Sequence, residues 1–235
     1  MTGGAVGVVL PAGGAGRRMG GDVPKQFRAL GGAPVLVQTL RAFARHEAVG
    51  PAVAVVPAGE EAETGRLLQE HGAEATVVAG GPTRQASVAN GVAALPPGVG
   101  LVLVHDAVRL FVAGAVIARV VGAAREGGAA AAAVPVADTL RRGGAGPLFG
   151  ETVDRAGLWA MQTPQAARRD WLTRAAANAG RAVATDEVGL LQAAGYPVRI
   201  VEGDARNVKL TRPSDWALAE ALWPTWEADR VGGAG

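Results

Sequence analysis

The run Val6–Leu10 is apolar, rich in β-branched residues and free of polar alternation, and it stops at the turn Pro11-Ala12-Gly13-Gly14-Ala15-Gly16. Such a run reads as a strand buried on both faces, the situation of a parallel sheet. Similar runs recur at Ala52–Val56, Ala75–Val78, Leu101–Val104 and Ala129–Val136. Between them Pro34–Ala44, Glu60–Glu70, Thr83–Ala94 and Ala113–Arg125 have helical spacing, with Thr83 placed as a cap. Strands alternating with helices predict βαβ units and a mostly parallel α/β sheet. Ligands of such sheets sit beyond the carboxyl ends of the strands. The first turn, Gly80-Gly81 and Asp106 all fall at such ends.

The rhythm breaks at Asp138–Val153, where β-type ends flank a Gly/Pro-rich centre. A hairpin with so little apolar mass cannot stand alone, so an arm at about 137–155 is expected to project and pack on a second copy of the chain. Beyond it, Leu158–Thr163 reads as a short strand, Gln165–Ala177 and Asp186–Ala194 as helices, Pro197–Glu202 as a strand and Pro213–Trp223 as a helix. The tail 229–235 is expected to be disordered. The chain, 1–235, reads as one unit.

The absence of cysteine removes disulfides, thiolate metal sites and cysteine nucleophiles. Neither a signal segment nor a membrane span is expected, which makes the cytoplasm the expected compartment and leaves no membrane partner. A net charge of +2 with dispersed basic residues argues against a nucleic-acid face. Of 23 basic residues, only Lys25 and Lys209 are lysines. A compact ammonium and a planar guanidinium are not interchangeable where geometry matters, so these two positions stand out.

The first turn offers backbone N–H groups to an anion, with Arg17, Arg18 and Lys25 close behind. It lacks the Gly-Lys-Ser/Thr of a Walker loop, and Met19 stands where a dinucleotide fingerprint needs its third glycine. What remains is the nucleotidyltransferase pattern G-G-x-G-x-R-M-G followed by P-K. The segments PAGGAGRRMG, PKQF, GGPTRQASVANG, VLVHDAVR, VPVADTL, VDRAGLWAMQTPQ, ATDE and VEGDARNVKLTRPSD follow in order over about residues 6–222. Together they resemble the 2-C-methyl-D-erythritol 4-phosphate cytidylyltransferase family.

The resemblance implies a Rossmann-like nucleotidyltransferase sheet with a dimerisation arm. It also implies transfer of a cytidylyl group from CTP to methylerythritol phosphate (MEP), with release of pyrophosphate, in the non-mevalonate isoprenoid route. Arg18 and Lys25 would hold the triphosphate. Arg155, reaching from a partner, and Lys209 would hold the MEP phosphate, with Thr139, Arg109, Thr163 and Thr185 around the acceptor. Ala12, Gly13, Gly14, Gly16, Gly81, Arg84, Ser87 and Ala107 would line the nucleotide, and Asp106 would lie by Mg²⁺ held mainly by the triphosphate. On the bare sequence Lys209 is equally a surface lysine, Ser87 a helix-face serine and Arg155 a partner for Asp154. His105 reads as structural, and Thr185-Asp186-Glu187 as a helix cap with first-turn acids. Leu110, where the family usually has proline, implies a looser loop after Asp106; Gly13 in place of alanine implies a looser first turn. A cytidylyltransferase for another polyol phosphate, such as ribitol 5-phosphate, and a silent nucleotide-binding regulator remain as alternatives.

Overall fold

A computed structural model of the chain describes residues 4–14, 23–178 and 184–232. In chain order the elements are β1 (Ala5–Pro11), β2 (Ala29–Leu30), β3 (Ala33–Pro34), α1 (Val35–Ala44), β4 (Ala52–Val56), α2 (Glu61–Glu70), β5 (Thr76–Ala79), α3 (Arg84–Ala94) and β6 (Val99–Val104). Then come α4 (Gly114–Gly127), β7 (Ala129–Pro135), β8 (Leu140–Gly143), β9 (Phe149–Val153), β10 (Trp159–Arg168), α5 (Arg169–Asn178), α6 (Glu187–Ala193), β11 (Arg199–Glu202) and α7 (Pro213–Gly232). Among the described residues no helix is long and apolar enough to cross a membrane.

The main sheet has seven strands in the order β11-β7-β10-β6-β1-β4-β5. β1 pairs in parallel with β4 on one side and β6 on the other, so successive crossovers leave β1 in opposite directions. The crevice at such a switch point is where an open α/β sheet takes its ligand. The alternation of side chains explains the apolar run of β1. Val8 and Leu10 enter the core that includes Leu36, Phe43 and Ile117 of α1 and α4, whereas Val9 enters the opposite core with Val88, Leu172 and Leu191. Both faces are covered, and no polar position is left.

Two expectations are corrected. The stretch beginning at Gln165 is not helical until Arg169. β10 continues through Gln165-Ala166-Ala167, antiparallel to β6 on one side and to β7 on the other. Alanine is narrow enough to lie buried between both helical layers, and two neighbouring strands satisfy its backbone, which outweighs its helix propensity. The tail is helical as far as Gly232, with Pro224 inside the helix. Trp223 and Trp226 pack on either side of that proline, and both rings meet Phe111. Their packing offsets the missing N–H, and Asp229 pairs with Arg206 at 3.2 Å. Residues 233–235 lie outside the described residues.

Among the described residues β8 and β9 pair only with each other. Leu148 and Phe149 at their tip are 69% and 84% exposed.

Candidate active site

The turn after β1 is fixed from the segment carrying the first lysine. Gln26, buried, donates from Nε2 to the Ala12 carbonyl at 2.8 Å, and the Ala12 N–H donates to Val55 at 2.7 Å. Among the described residues a Cβ placed on Gly13 or Gly14 meets nothing within 4 Å, and neither has positive φ. Neither position therefore requires glycine for a strained backbone. Gly16 and Arg18 lie outside the described residues.

Lys25 follows this turn, and its ammonium donates to the Leu210 carbonyl at 2.9 Å. The neighbouring Lys209 reaches Asp106 at 3.0 Å. The two lysines of the chain, 184 positions apart in sequence, are thus brought to one place at the end of β6. Arg109 adds a second cation on the same Asp106 oxygen at 3.1 Å, and Arg84 stands 3.9 Å from the other. Burial pushes the Asp106 carboxyl up, but Lys209, Arg109 and Arg84 outweigh it and hold it at about 2. Asp106 is therefore ionised, and the surrounding cations exceed it in number. A pocket with excess positive charge suits a polyanion.

Behind Asp106 the polar groups are spent inside the protein. His105 Nε2 donates to the Arg109 carbonyl at 2.9 Å, so its Nδ1 accepts from the Thr163 hydroxyl at 3.0 Å. The same hydroxyl accepts from the Asp106 N–H at 3.1 Å. Thr163 is buried, and its hydroxyl supports the Asp106 loop. His105 is likewise structural. Burial holds its imidazole down at about 4, well below the ordinary 6.5.

That value has a consequence for stability. Below pH 6.5 an unfolded chain protonates this imidazole, while the folded chain refuses the proton until about pH 4. Stability is lost as the pH falls through that window, by about 3 kcal/mol at its end. Asp106 titrates below it. The unfolding free energy of the wild type, from urea titration, should fall from pH 7 to pH 4 by that much more than that of His105→Gln; equal falls would contradict the assignment.

Arg84 is clamped by a bidentate pair with Glu187 at 2.7 and 2.9 Å. Burial pushes the Glu187 carboxyl up, and Arg84 opposes this. Asp186 caps α6 by accepting from Gly189, as the sequence predicts. Gln165, inside β10, accepts from the Glu187 and Val188 N–H groups and so fixes that helix start. Thr83 caps α3. The Ser87 hydroxyl accepts from the Gly81 N–H at 3.0 Å and donates to the Thr83 carbonyl at 2.9 Å. It is a brace for the Gly80-Gly81 turn, whose tightness excludes a side chain: a Cβ on Gly81 would strike Ala86. An apolar cavity of about 580 Å³, lined in part by Val88, Leu172 and Leu190, lies behind Arg84 and away from the lysines.

The remaining expected residues divide. Ala107 is buried, and its carbonyl accepts from Thr39 at 2.9 Å, which ties α1 to the Asp106 loop. Leu110 is fully buried against the tryptophans of α7, so the loop is anchored where the departure from proline implied slack. Thr139, Arg155 and Thr185 are exposed. Among the described residues the Arg155 side chain has neither a hydrogen bond nor an ion pair, and Asp154 instead accepts from the Ala156 N–H at 2.9 Å. No group of three His, Cys, Asp or Glu side chains that could hold a metal occurs among the described residues.

A family model described as 2-C-methyl-D-erythritol 4-phosphate cytidylyltransferase matches residues 6–224. The protein of that name from Salinibacter ruber is 54% identical over 223 residues, 93% of each chain. A bifunctional enzyme IspD/IspF from Desulfotalea psychrophila is 45% identical over 91% of this chain, which spans 55% of that longer protein. The crystal structure of the cytidylyltransferase from Thermus thermophilus superposes with a TM-score of 0.79 at 40% identity, covering 93% of this chain and 98% of that one.

Proposed function

The chain belongs to the 2-C-methyl-D-erythritol 4-phosphate cytidylyltransferase family, and from that premise we propose how its residues carry CMP from CTP to MEP. A phosphate oxygen of MEP forms a bond to the α-phosphorus as the bond to the β-phosphate oxygen breaks, and pyrophosphate leaves. The attacking oxygen is already anionic, so no general base is needed, in keeping with a His105 sealed behind the site. The barrier comes from bringing two polyanions together, and placed cations lower it. The observation that carries this reading is the meeting of Lys25, Lys209, Arg109 and Asp106 at the β1/β6 switch point.

In this reading Lys25 and Arg18 hold the triphosphate, and Ala12, Gly13, Gly14 and Gly16 line it. Gly81, braced by Ser87, with Arg84 and Ala107, forms the nucleotide side. Lys209 and Arg109 take the MEP phosphate, with Thr139 and Thr185 at its rim. The ionised Asp106 is an oxygen donor of the kind Mg²⁺ accepts alongside phosphates, and the bound metal would neutralise phosphate charge. The chain acts as one unit in the cytoplasm. Its arm at about 137–155, apolar and exposed at the tip, packs on a second copy and delivers Arg155 to that copy's site.

The test is pyrophosphate release from CTP and Mg²⁺ with MEP or ribitol 5-phosphate as acceptor. Release with MEP should exceed that with ribitol 5-phosphate by at least about 100-fold in kcat/KM, since acceptor-shaped polar contacts discriminate strongly. The reverse preference would favour the polyol alternative, and no release with either acceptor would favour a silent regulator.

A further inference from the structure

We propose that Asn207 is a positioning residue that holds Lys209 and Arg109 in register around Asp106. Asn207 is fully buried. Its Nδ2 donates to the Thr163 carbonyl at 2.7 Å, and its backbone carbonyl accepts from Arg109 at 2.7 Å. Arg109 pairs with Asp106, whose N–H donates to the Thr163 hydroxyl. Thr163, Asp106, Arg109 and Asn207 thus close a ring, and Asn207 is the member that links it to Lys209 two residues on. The segment is held at its other end as well. The Gln162 amide donates to the Asp204 carbonyl at 2.9 Å, and its Oε1 also accepts from Asn207 at 3.4 Å. Gly203 runs so close that a Cβ there would collide with the Gln162 amide.

A second observation sets Asn207 apart from ordinary packing. Its Oδ1 is buried without a hydrogen-bond partner among the described residues. A desolvated, unpaired carbonyl costs stability that an apolar side chain of the same size would not cost. The amide is present for its NH₂ end, whose bond aligns the strap that carries Lys209 against β10. A shift of the strap would displace Lys209 and Arg109 together, and a small misplacement of charged groups slows group transfer steeply.

This inference rests on Lys209 acting on the acceptor phosphate, and the experiment separates the two. Asn207→Asp keeps the shape but sets a carboxylate oxygen against the Thr163 carbonyl. It should raise the KM for MEP about tenfold and lower kcat by a similar factor, with the KM for CTP changed far less. A merely destabilised protein would lose active fraction with both KM values unmoved. In a Lys209→Met background the same substitution should cost less than it does in the wild type, because the share of its effect that runs through Lys209 is already lost. Multiplicative losses would overturn the positioning role while leaving Lys209 in place. An unchanged MEP KM in Lys209→Met alone would overturn the reading of Lys209 and the inference with it. If Asn207→Asp fails to fold, Gln162→Met loosens the same strap without a buried charge. It should raise the MEP KM in the same direction; an unchanged value would overturn the proposal.

Discussion

Lys209→Met should lower turnover with MEP by about 10²- to 10³-fold, the cost typical of removing one preorganised donor from a developing charge. Pyrophosphate release at saturating CTP would measure it. Lys209 is well placed for such an effect. Its ammonium is 3.0 Å from an ionised Asp106, so its position is set before any substrate arrives, yet its side chain is 42% exposed and accessible to a phosphate. The same exposure makes the ion pair a weak contributor to the fold, within about 1 kcal/mol. The loss should therefore be read in kinetics and not in the urea midpoint. Lys209→Arg should restore only part of the rate, because a guanidinium cannot sit where a compact ammonium bridges Asp106 and a phosphate. Near-normal turnover in Lys209→Met would remove Lys209 from the chemistry.

Much of this arrangement was legible in the sequence because the chain marks it. In a protein that otherwise uses arginine, the two lysines stand out, and the structure brings their segments together. The apolar runs of β1, β4 and β6 predict strands buried on both faces, and the alternation of elements places Asp106 at a strand end. The interior polar groups were not legible. Gln162, Gln165 and Asn207 look like surface residues in a linear pattern, and only folding shows that each amide replaces a missing backbone partner. The bracing by Thr163 was hidden for the same reason: a hydroxyl next to a proline gives no sign that it will hold the Asp106 loop. Gln165-Ala166-Ala167 misled because alanine favours helix in isolation, while two flanking strands decide its state here. Leu110 inverted its expectation, since a missing proline was compensated by burial.

The arm carries the largest remaining consequence. Arg155 is exposed on the segment between β9 and β10, and its side chain has neither a hydrogen bond nor an ion pair among the described residues. If it completes the site of a second copy, Arg155→Ala should lose about 10²-fold or more in turnover, as Lys209→Met does. A symmetric dimer then permits rescue. In a mixed dimer the Arg155→Ala subunit keeps its own Lys209 and receives Arg155 from its Lys209→Met partner, so one site in each mixed pair is intact. The most direct measurement is pyrophosphate release from an equal mixture of the two inactive variants after subunit exchange. The composite site predicts recovery to about a quarter of wild-type turnover, since random reassortment makes about half of the dimers mixed. A mixture as inactive as its components, with exchange verified by differently tagged subunits, would contradict the composite site and return Arg155 to its own protomer.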